Sequence, residues 1–350
     1  MDTEAQGDTD VQPARNRTIV RVRRGLARGG IVLGIVVGVS AALALVFALW
    51  LNHSLSNITK VELNILEANR PPETDNGSLT FLLLGADSGT ARNGEGTSIL
   101  KDASSGTWPP GRHRSDATLL VQITADRSKA YVISLPRDSF VPIYDAQGVE
   151  RQRGKINAAL SLYGPSGAVS TLEHLSGLRI DHFAMVDWDG FGSITDALGG
   201  VTIGTATLDG SAALEYVRER YLLANGDLDR VKRQQNYLRA LSSKMLEAGT
   251  LTNPLKLKRT LDAVTSSLAV DSDWTSGNMR SLGFSLRGIR RDDVVFLTIP
   301  TNGTADDPKA GSIVLLDERA GAAMFDAMRR DDMSTWVSRN DRLVLGERVD

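Results

Sequence analysis

No cysteine occurs among the 350 residues, so neither a disulfide nor a thiolate metal site holds this chain together. Histidine is nearly as scarce: His53, His113, His174 and His182 are the four present, and their spacing fits no zinc site. The net charge is only −2, which argues against a general nucleic-acid binder, whose footprint would be basic. Neither a Gly-x-Ser-x-Gly elbow nor a P-loop appears, and no internal repeat is visible. Serine-hydrolase, P-loop NTPase and repeat architectures are thereby set aside.

What the chain does have begins near its N-terminus. Met1 to Asp10 is acidic and polar, and Arg15, Arg17, Arg21, Arg23, Arg24 and Arg28 follow with no acid among them. From Ile31 to Leu51 no charged residue occurs. At about 1.5 Å per residue that run spans roughly 31 Å, enough to cross a hydrocarbon core. Arginines before the run and none just after it predict a cytoplasmic N-terminus and an external remainder. A cleaved signal peptide is the competing reading. Its apolar region is shorter, about 7–15 residues, and ends in small residues, whereas this run leaves through Phe47, Trp50 and Leu51. An uncleaved anchor is therefore expected.

Beyond the span, Leu55 to Glu67 has helix-like apolar spacing, and Asn69 to Ser78, with Pro71, Pro72 and Gly77, reads as a linker. Thr80 to Leu84 has the composition of a buried strand ending at Gly85. Arg92 to Gly111 is rich in Gly, Ser, Thr and Pro and reads as a long loop or flap. Ala117–Thr124 and Lys129–Leu135 predict a hairpin. Asn157–Tyr163 and Ala168–Leu175 predict two helices, His182–Trp188 a strand, Phe191–Leu198 a helix and Gly200–Ile203 a strand after a Gly-Gly turn. Asp209 caps a helix to Arg218, Leu228–Ala248 forms a long amphipathic helix, and Asn253-Pro254 opens another to about Leu268. Strands are expected near Val294–Ile299 and Ser312–Leu316. This mixture predicts an α/β fold: a three-layer α/β/α domain with a central mixed β-sheet, preceded by one N-terminal transmembrane helix.

Tyr216 to Gln235 holds five cations, Arg218, Arg220, Arg230, Lys232 and Arg233, with Asp227 and the amides Gln234 and Gln235. Arg230, Arg233 and Gln234 share one helical face, which suits a multiply charged anion such as a pyrophosphate. A solvated, salt-bridged helix is the plainer reading of the same residues. Elsewhere, Leu82-Leu-Leu-Gly-Ala-Asp87 ends one strand, Arg114-Ser-Asp116 begins the next and Leu135-Pro-Arg-Asp138 ends the third. If these strands are antiparallel neighbours, Asp87, Arg114, Asp116, Arg137 and Asp138 converge. Two carboxylates among arginines suit a divalent cation with phosphates.

These segments, in this order, resemble the LytR-CpsA-Psr family of Gram-positive bacteria. The resemblance is carried by Leu82-Leu-Leu-Gly-Ala-Asp87, Arg114-Ser-Asp116, Ser134-Leu-Pro-Arg-Asp138, Lys155-Ile-Asn-Ala-Ala159, Asp187-Trp-Asp-Gly-Phe191, Asp196-Ala-Leu-Gly-Gly-Val201, Leu208-Asp-Gly210 and the block from Arg218 to Gln235. It implies transfer of a phospho-glycopolymer from a polyprenyl-pyrophosphate carrier to a peptidoglycan hydroxyl, assisted by Mg²⁺. It also implies Asp87 and Asp116 as metal ligands and Arg114, Arg137, Arg218, Arg220 and Arg230 as the pyrophosphate clamp. Asp227 and Gln234 correspond to orienting or head-group positions, Asp138 or Asp227 would take the hydroxyl proton, and an apolar tunnel would hold the prenyl tail. One departure is the longer stretch between Asp87 and Asp116, residues 88–115. It reads as a lid or acceptor-recognition loop, or as disorder.

The resulting organisation is a cytoplasmic tail (1–30), a transmembrane helix (31–51), an extracytoplasmic linker (52–78), a catalytic domain (79–335) and a C-terminal tail (336–350). A single-pass cell-membrane protein with an extracytoplasmic catalytic domain follows. Arginine outnumbers lysine 31 to 9, a bias that points to a GC-rich, actinobacterial source. The expected partners are the lipid-linked glycan donor, the peptidoglycan acceptor and membrane lipid, with no nucleic acid. Two alternatives use the same residues: a non-catalytic polyprenyl-pyrophosphate-binding or regulatory envelope protein, and a lipid pyrophosphatase. N-terminal sequencing of the membrane-bound product tests the anchor. Intact arginine-rich residues are expected, and a product beginning near residue 52 would remove the anchor.

Overall fold

Short β-branched and leucine-rich runs bounded by Gly, Pro or Asp set up strands, and alternation sends their side chains to opposite faces. The computed structural model describes residues 47–87, 98–218, 227–247 and 253–344. The chain divides into two units, Met1–His53 and Ser54–Asp350. In the first, residues 47–53 are helical. Among the described residues no helix is long and apolar enough to cross a membrane. Most of the apolar run Ile31–Leu51 lies outside them.

In the second unit the elements run β1 (Thr59–Val61), β2 (Leu79–Asp87), α1 (Ile99–Ser104), β3 (Arg114–Ile123), β4 (Ala130–Leu135), β5 (Phe140–Tyr144) and β6 (Glu150–Lys155). Next come α2 (Asn157–Ser176), β7 (His182–Asp187), α3 (Trp188–Ala197), β8 (Val201–Ile203), β9 (Ala206–Leu208), α4 (Gly210–Arg218) and α5 (Asp227–Met245). The chain continues through α6 (Pro254–Ser267), β10 (Leu268–Asp271), α7 (Ser276–Ser285), β11 (Val294–Thr298), β12 (Thr301–Asp307), β13 (Gly311–Leu316), α8 (Glu318–Arg329) and α9 (Met333–Arg339).

Seven strands form one sheet in the order β1-β10-β7-β2-β3-β4-β11. The pairs β1/β10, β7/β2 and β4/β11 are parallel and the others antiparallel, so the sheet is mixed. Leu82, Leu84, Leu120, Ile133, Leu135, Phe183 and Met185 bury one face against Val169 and Leu172 of α2 and Met324, Phe325 and Met328 of α8. Phe81, Leu119, Val121, Val132 and Phe296 face the other way and meet Leu238 of α5 and Leu282 of α7. Trp188, Phe191 and Ile194 of α3 join Val217 of α4 and Tyr237 and Leu241 of α5 beside Ala117 on that second side. Helices therefore cover both faces.

Several expectations change. Leu55–Glu67 is not one helix: the helical turn ends at 56 and Thr59–Val61 pairs with β10. Burial of Ile58 and Val61 against the sheet decides it, and part of the segment expected as linker, 52–78, is thus an edge strand. The helix opened by Asn253, whose side chain accepts from Leu255 and Lys256 amides, gives way to β10 at Leu268. A four-residue strand directly after a helix has no periodicity of its own to reveal it. The two helices expected at Asn157–Tyr163 and Ala168–Leu175 are present as the two halves of α2, broken at Gly164, whose φ of +68° is not helical. The hairpin β5/β6 has no counterpart among the expected elements, and the strand expected at Gly200–Ile203 is present as β8, paired with β9.

The stretch Arg92–Gly111, expected as a flap, is a docked segment from Ser98 onward; residues 88–97 lie outside the described ones. Ser98 caps α1 by accepting from the Lys101 amide, and Ile99 and Ala103 are buried in the main core. The Trp108 indole donates to the Ser161 carbonyl at 3.1 Å, and its ring fills the gap at the Gly164 kink. Beyond it, Asp102 accepts from Arg112 at 3.0 Å and lies 2.7 Å from His113 Nε2. Burial alone would raise the Asp102 carboxyl, but these two partners hold it below its ordinary value.

A Cβ on Gly164 would stand 2.9 Å from Trp108 Cγ at a left-handed φ. Gly164→Ala is thus expected to cost about 2 kcal/mol of stability through strain and the displaced indole. Urea unfolding checks it, as a lower midpoint at unchanged slope.

Candidate functional site

The site grows out of strand register. β2, β3 and β4 are consecutive antiparallel neighbours, so the end of β2, the start of β3 and the end of β4 lie on one edge. Asp87 pairs with Arg114 across β2/β3. The register then passes from Ala86↔Ser115 to Gly85↔Ala117, leaving Asp116 as the extra residue of a β-bulge. A bulge re-aims its side chain out of the pleat and is common beside functional sites.

Asp116 Oδ1 accepts from Arg137 at 2.7 Å, and both side chains are about four-fifths buried. Arg137 Nε lies 3.6 Å from Asp138 Oδ2, and Lys155 Nζ lies 3.1 Å from Asp138 Oδ1. The backbone holding this chain of alternating charges is itself tied down. The Asn157 amide donates to the Arg137 carbonyl, the Ile156 amide to Ser139, and the Val314 amide to Asp138. The structure thus brings together Asp116, Arg137 and Asp138, with Asp87 and Arg114 beside them by register. Lys155, marked in the sequence only through Lys155-Ile-Asn-Ala-Ala159, joins them because β6 ends beside the Pro136–Ser139 turn.

The arginine-rich segment is covered unevenly. Arg218 closes α4 and is exposed. Arg220 lies outside the described residues, as do the side chains of Asp87, Asp227 and Arg230. Gln235 Nε2 donates to the Leu297 carbonyl and Thr298 Oγ1, each at 3.0 Å, and Thr298 is in register with Ser134 of β4. Leu238, one turn later, packs against the cluster that includes Leu119, Val121 and Phe296, and the Arg239 guanidinium lies over the Phe296 ring. α5 therefore runs back along β11 from the end of that strand at which Gln235 is held. Gln234 is buried and turns inward, whereas the Arg233 guanidinium lies over the Tyr216 ring at 5.0 Å. Gln234 and Arg233 therefore face different surroundings.

Between the sheet and α3, α5 and α6 lies a cavity of about 280 Å³. Its wall includes Leu83, Gly85, Ala117, Leu119, Trp188, Phe191, Gln234, Tyr237 and Leu241. All but Gly85 and Gln234 present mainly hydrocarbon or aromatic surface. Gly85 and Ala117 flank the Asp116 bulge, so this part of the cavity wall adjoins the charged edge. Its lining was not assignable from sequence, since an amphipathic helix shows which side is apolar but not whether that side is fully packed. Tyr237 braces the wall: its hydroxyl donates to the Phe191 carbonyl at 3.1 Å and lies 2.5 Å from Thr195 Oγ1. Burial pushes its ionisation up to about 12.

A divalent cation fits the donor types here. Mg²⁺ prefers hard oxygens and takes one or two carboxylates, leaving the other positions to water and phosphate. Asp116 stands on a bulge two residues from the register partner of Asp87, and among the described residues no group of three or more His, Cys, Asp or Glu forms a closed cage.

The LytR_cpsA_psr family matches residues 51–206 and 202–330. The cell wall biosynthesis protein LcpA of Corynebacterium glutamicum is 30% identical over 295 residues, 71% of this chain and 55% of that protein. The probable cell wall biosynthesis protein LcpB of the same species is 31% identical over 318 residues, 85% of this chain and 71% of its own length. The polyisoprenyl-teichoic acid–peptidoglycan teichoic acid transferase TagU of Enterococcus faecalis is 30% identical over 45% of this chain and 55% of that protein. The chain therefore spans little more than half the length of LcpA and TagU. Among solved structures, a LytR-Csp2A-Psr enzyme from Actinomyces oris superposes with TM-score 0.57 at 19% identity, over 77% of this chain and 96% of that one. TagT bound to LI-WTA gives TM-score 0.54 at 21% identity, over 78% and 98%. At these identities the superpositions establish the fold.

Tyr237→Phe tests the wall. The folded phenol resists ionisation to about 12 against an ordinary value of 10.0. Its contribution is therefore complete below pH 10 and lost as pH rises towards 12. The variant should be less stable at pH 7 by about 1 kcal/mol, from the lost hydrogen bonds. Urea unfolding at pH 7 and pH 11 should show that gap narrowing at the higher pH.

Proposed function

Because this chain belongs to the LytR-CpsA-Psr family, we propose that it is a membrane-anchored phosphotransferase that moves a phospho-glycopolymer from a polyprenyl-pyrophosphate carrier to a peptidoglycan hydroxyl. The observation that carries the reading is the adjacency of an apolar cavity and a buried chain of charges, Asp116–Arg137–Asp138–Lys155. A ligand suited to both has a hydrocarbon tail and a multiply charged head. A polyprenyl pyrophosphate has that form, and the name of TagU and the ligand bound to TagT support it.

In this reading the tail occupies the cavity between the sheet and α3, α5 and α6, and the diphosphate lies at the edge. Arg114, Arg137, Arg218, Arg220 and Arg230 supply guanidinium groups to its oxygens. Asp87 and Asp116 would hold Mg²⁺, which when bound neutralises phosphoryl charge. Guanidinium groups already aimed at the transferred phosphoryl oxygens stabilise the charge that spreads over them in the transition state. The acceptor hydroxyl oxygen forms the new bond to phosphorus, the bond from phosphorus to the lipid phosphate breaks, and a polyprenyl monophosphate leaves. The hydroxyl proton passes to a base.

Asp138 has one oxygen towards Lys155 and the other towards Arg137. We therefore give it the role of aligning these two cations and leave proton transfer to Asp227 at the start of α5. Gln234, on the cavity wall, stands where tail meets head. The run Ile31–Leu51 would hold the enzyme at the membrane where its lipid-linked donor resides.

Asp87→Ala and Arg218→Ala should each lower transfer from a purified lipid-linked donor by roughly 10²–10³-fold with the unfolding midpoint little changed. Arg137→Ala should do so with a lowered midpoint as well, because it leaves Asp116 without its buried partner. Product analysis should show a phosphodiester-linked glycan. Release of free sugar phosphate would identify a pyrophosphatase, and full activity in all three variants would remove the proposed site.

A further inference from the structure

The wall of the cavity carries one polar group whose partner is missing. Trp188 is 3% exposed, and its indole Nε1 is buried without a hydrogen-bond acceptor among the described residues. Buried indole N–H groups normally find one. The other aromatic polar group on this wall, the Tyr237 hydroxyl, is bonded to Phe191 and adjoins Thr195.

Register locates the group. Asp187 pairs with Ala86, and Ala86 pairs with Ser115 beside the Asp116 bulge. Trp188, the next residue, stands at the level of the sheet where the charged edge begins. The ring is held by Phe191, with centroids 5.2 Å apart. Cζ2, next to the carbon that bears Nε1, lies 3.6 Å from where a Gly85 Cβ would be. A Cβ there would also meet Ala117 Cβ at 3.2 Å and Phe191 Cε2 at 3.5 Å, so glycine lets these side chains close around the indole, and both Gly85 and Trp188 line the cavity. An indole N–H donates only, so the atom that meets it must be an acceptor. Further inside, the wall is hydrocarbon and aromatic surface; further out are guanidinium groups and carboxylates.

We propose that the Trp188 indole N–H donates a hydrogen bond to the oxygen that joins the prenyl chain to its first phosphorus, and so sets how deeply the lipid sits relative to Arg114, Arg137 and Asp116. This rests on the lipid-phosphate reading of the cavity. It adds a specificity determinant: the site measures where hydrocarbon ends and phosphate ester begins. Trp188 is a binding residue in this scheme and takes no part in bond making.

The test uses the full chain in lipid nanodiscs with two probes, farnesyl monophosphate and an isoprenoid hydrocarbon of the same length. Trp188→Phe removes the N–H. Replacement of Trp188 by 3-benzothienylalanine removes it while keeping the bicyclic shape, so lost packing is separated from the lost donor. Both variants should bind farnesyl monophosphate about ten-fold more weakly, with hydrocarbon binding within about two-fold of wild type. The Trp188 indole ¹⁵N–¹H resonance, assigned by its absence in Trp188→Phe, should move downfield with the phosphate probe alone. Equal losses for both probes, or a resonance that does not move while the phosphate binds, would overturn the hydrogen bond and leave the proposed function standing. Failure of the wild-type chain to bind farnesyl monophosphate would overturn both.

Discussion

Asp116 faces Arg137 because β3 carries one more residue than β2 opposite Gly85 and Ala86. That single irregularity in an otherwise regular antiparallel ladder is the constraint on which the site depends. Without it, strict alternation would decide where the carboxylate points. With it, Ala117 keeps its place on the cavity wall while Asp116 joins the charged edge. A hydrophobic wall and a carboxylate thereby come from adjacent residues of one strand.

The two halves of the site reinforce each other electrostatically. Arg137 and Asp116 are four-fifths buried, and a cavity wall of leucine, phenylalanine and tryptophan lies alongside. Charges there are screened less than at an open surface, so a bound diphosphate would feel the arginines strongly. The rigidity comes from elsewhere in the chain: backbone bonds from Ile156, Asn157 and Val314 hold the Arg137–Ser139 turn, and Gln235 fixes α5 to the end of β11. The docked segment around Trp108 belongs to the same frame, because it delivers His113 and Arg114 to the start of β3.

Much of this was legible one element at a time. The β3/β4 hairpin, the caps at Asp209 and Asn253, and the amphipathic helix ending at Met245 were readable because their signals are local. The convergence of Arg114, Asp116, Arg137 and Asp138 was readable too, once β2, β3 and β4 were taken as antiparallel neighbours. The misreadings have a common cause. β1 and β10 are three and four residues long, and such segments become strands only through their partners. The glycine- and proline-rich composition of Arg92–Gly111 resembled a flap, yet Trp108 and Ile99 docked much of it. Composition reports what a loop is made of, and a buried isoleucine and a half-buried indole outweigh it.

By itself, the sequence determined the alternation of strands and helices, the cysteine-free chemistry, the apolar N-terminal run and the residue types available for an anionic ligand. Each of these depends on neighbours within a few turns or on composition. Tertiary structure alone decided the bulge at Asp116, the entry of Lys155, the inward turn of Gln234 and the cavity with the Trp188 indole in its wall. Those features arise where elements far apart in the chain meet, and whether their surfaces close together or leave a space depends on packing that no local pattern encodes.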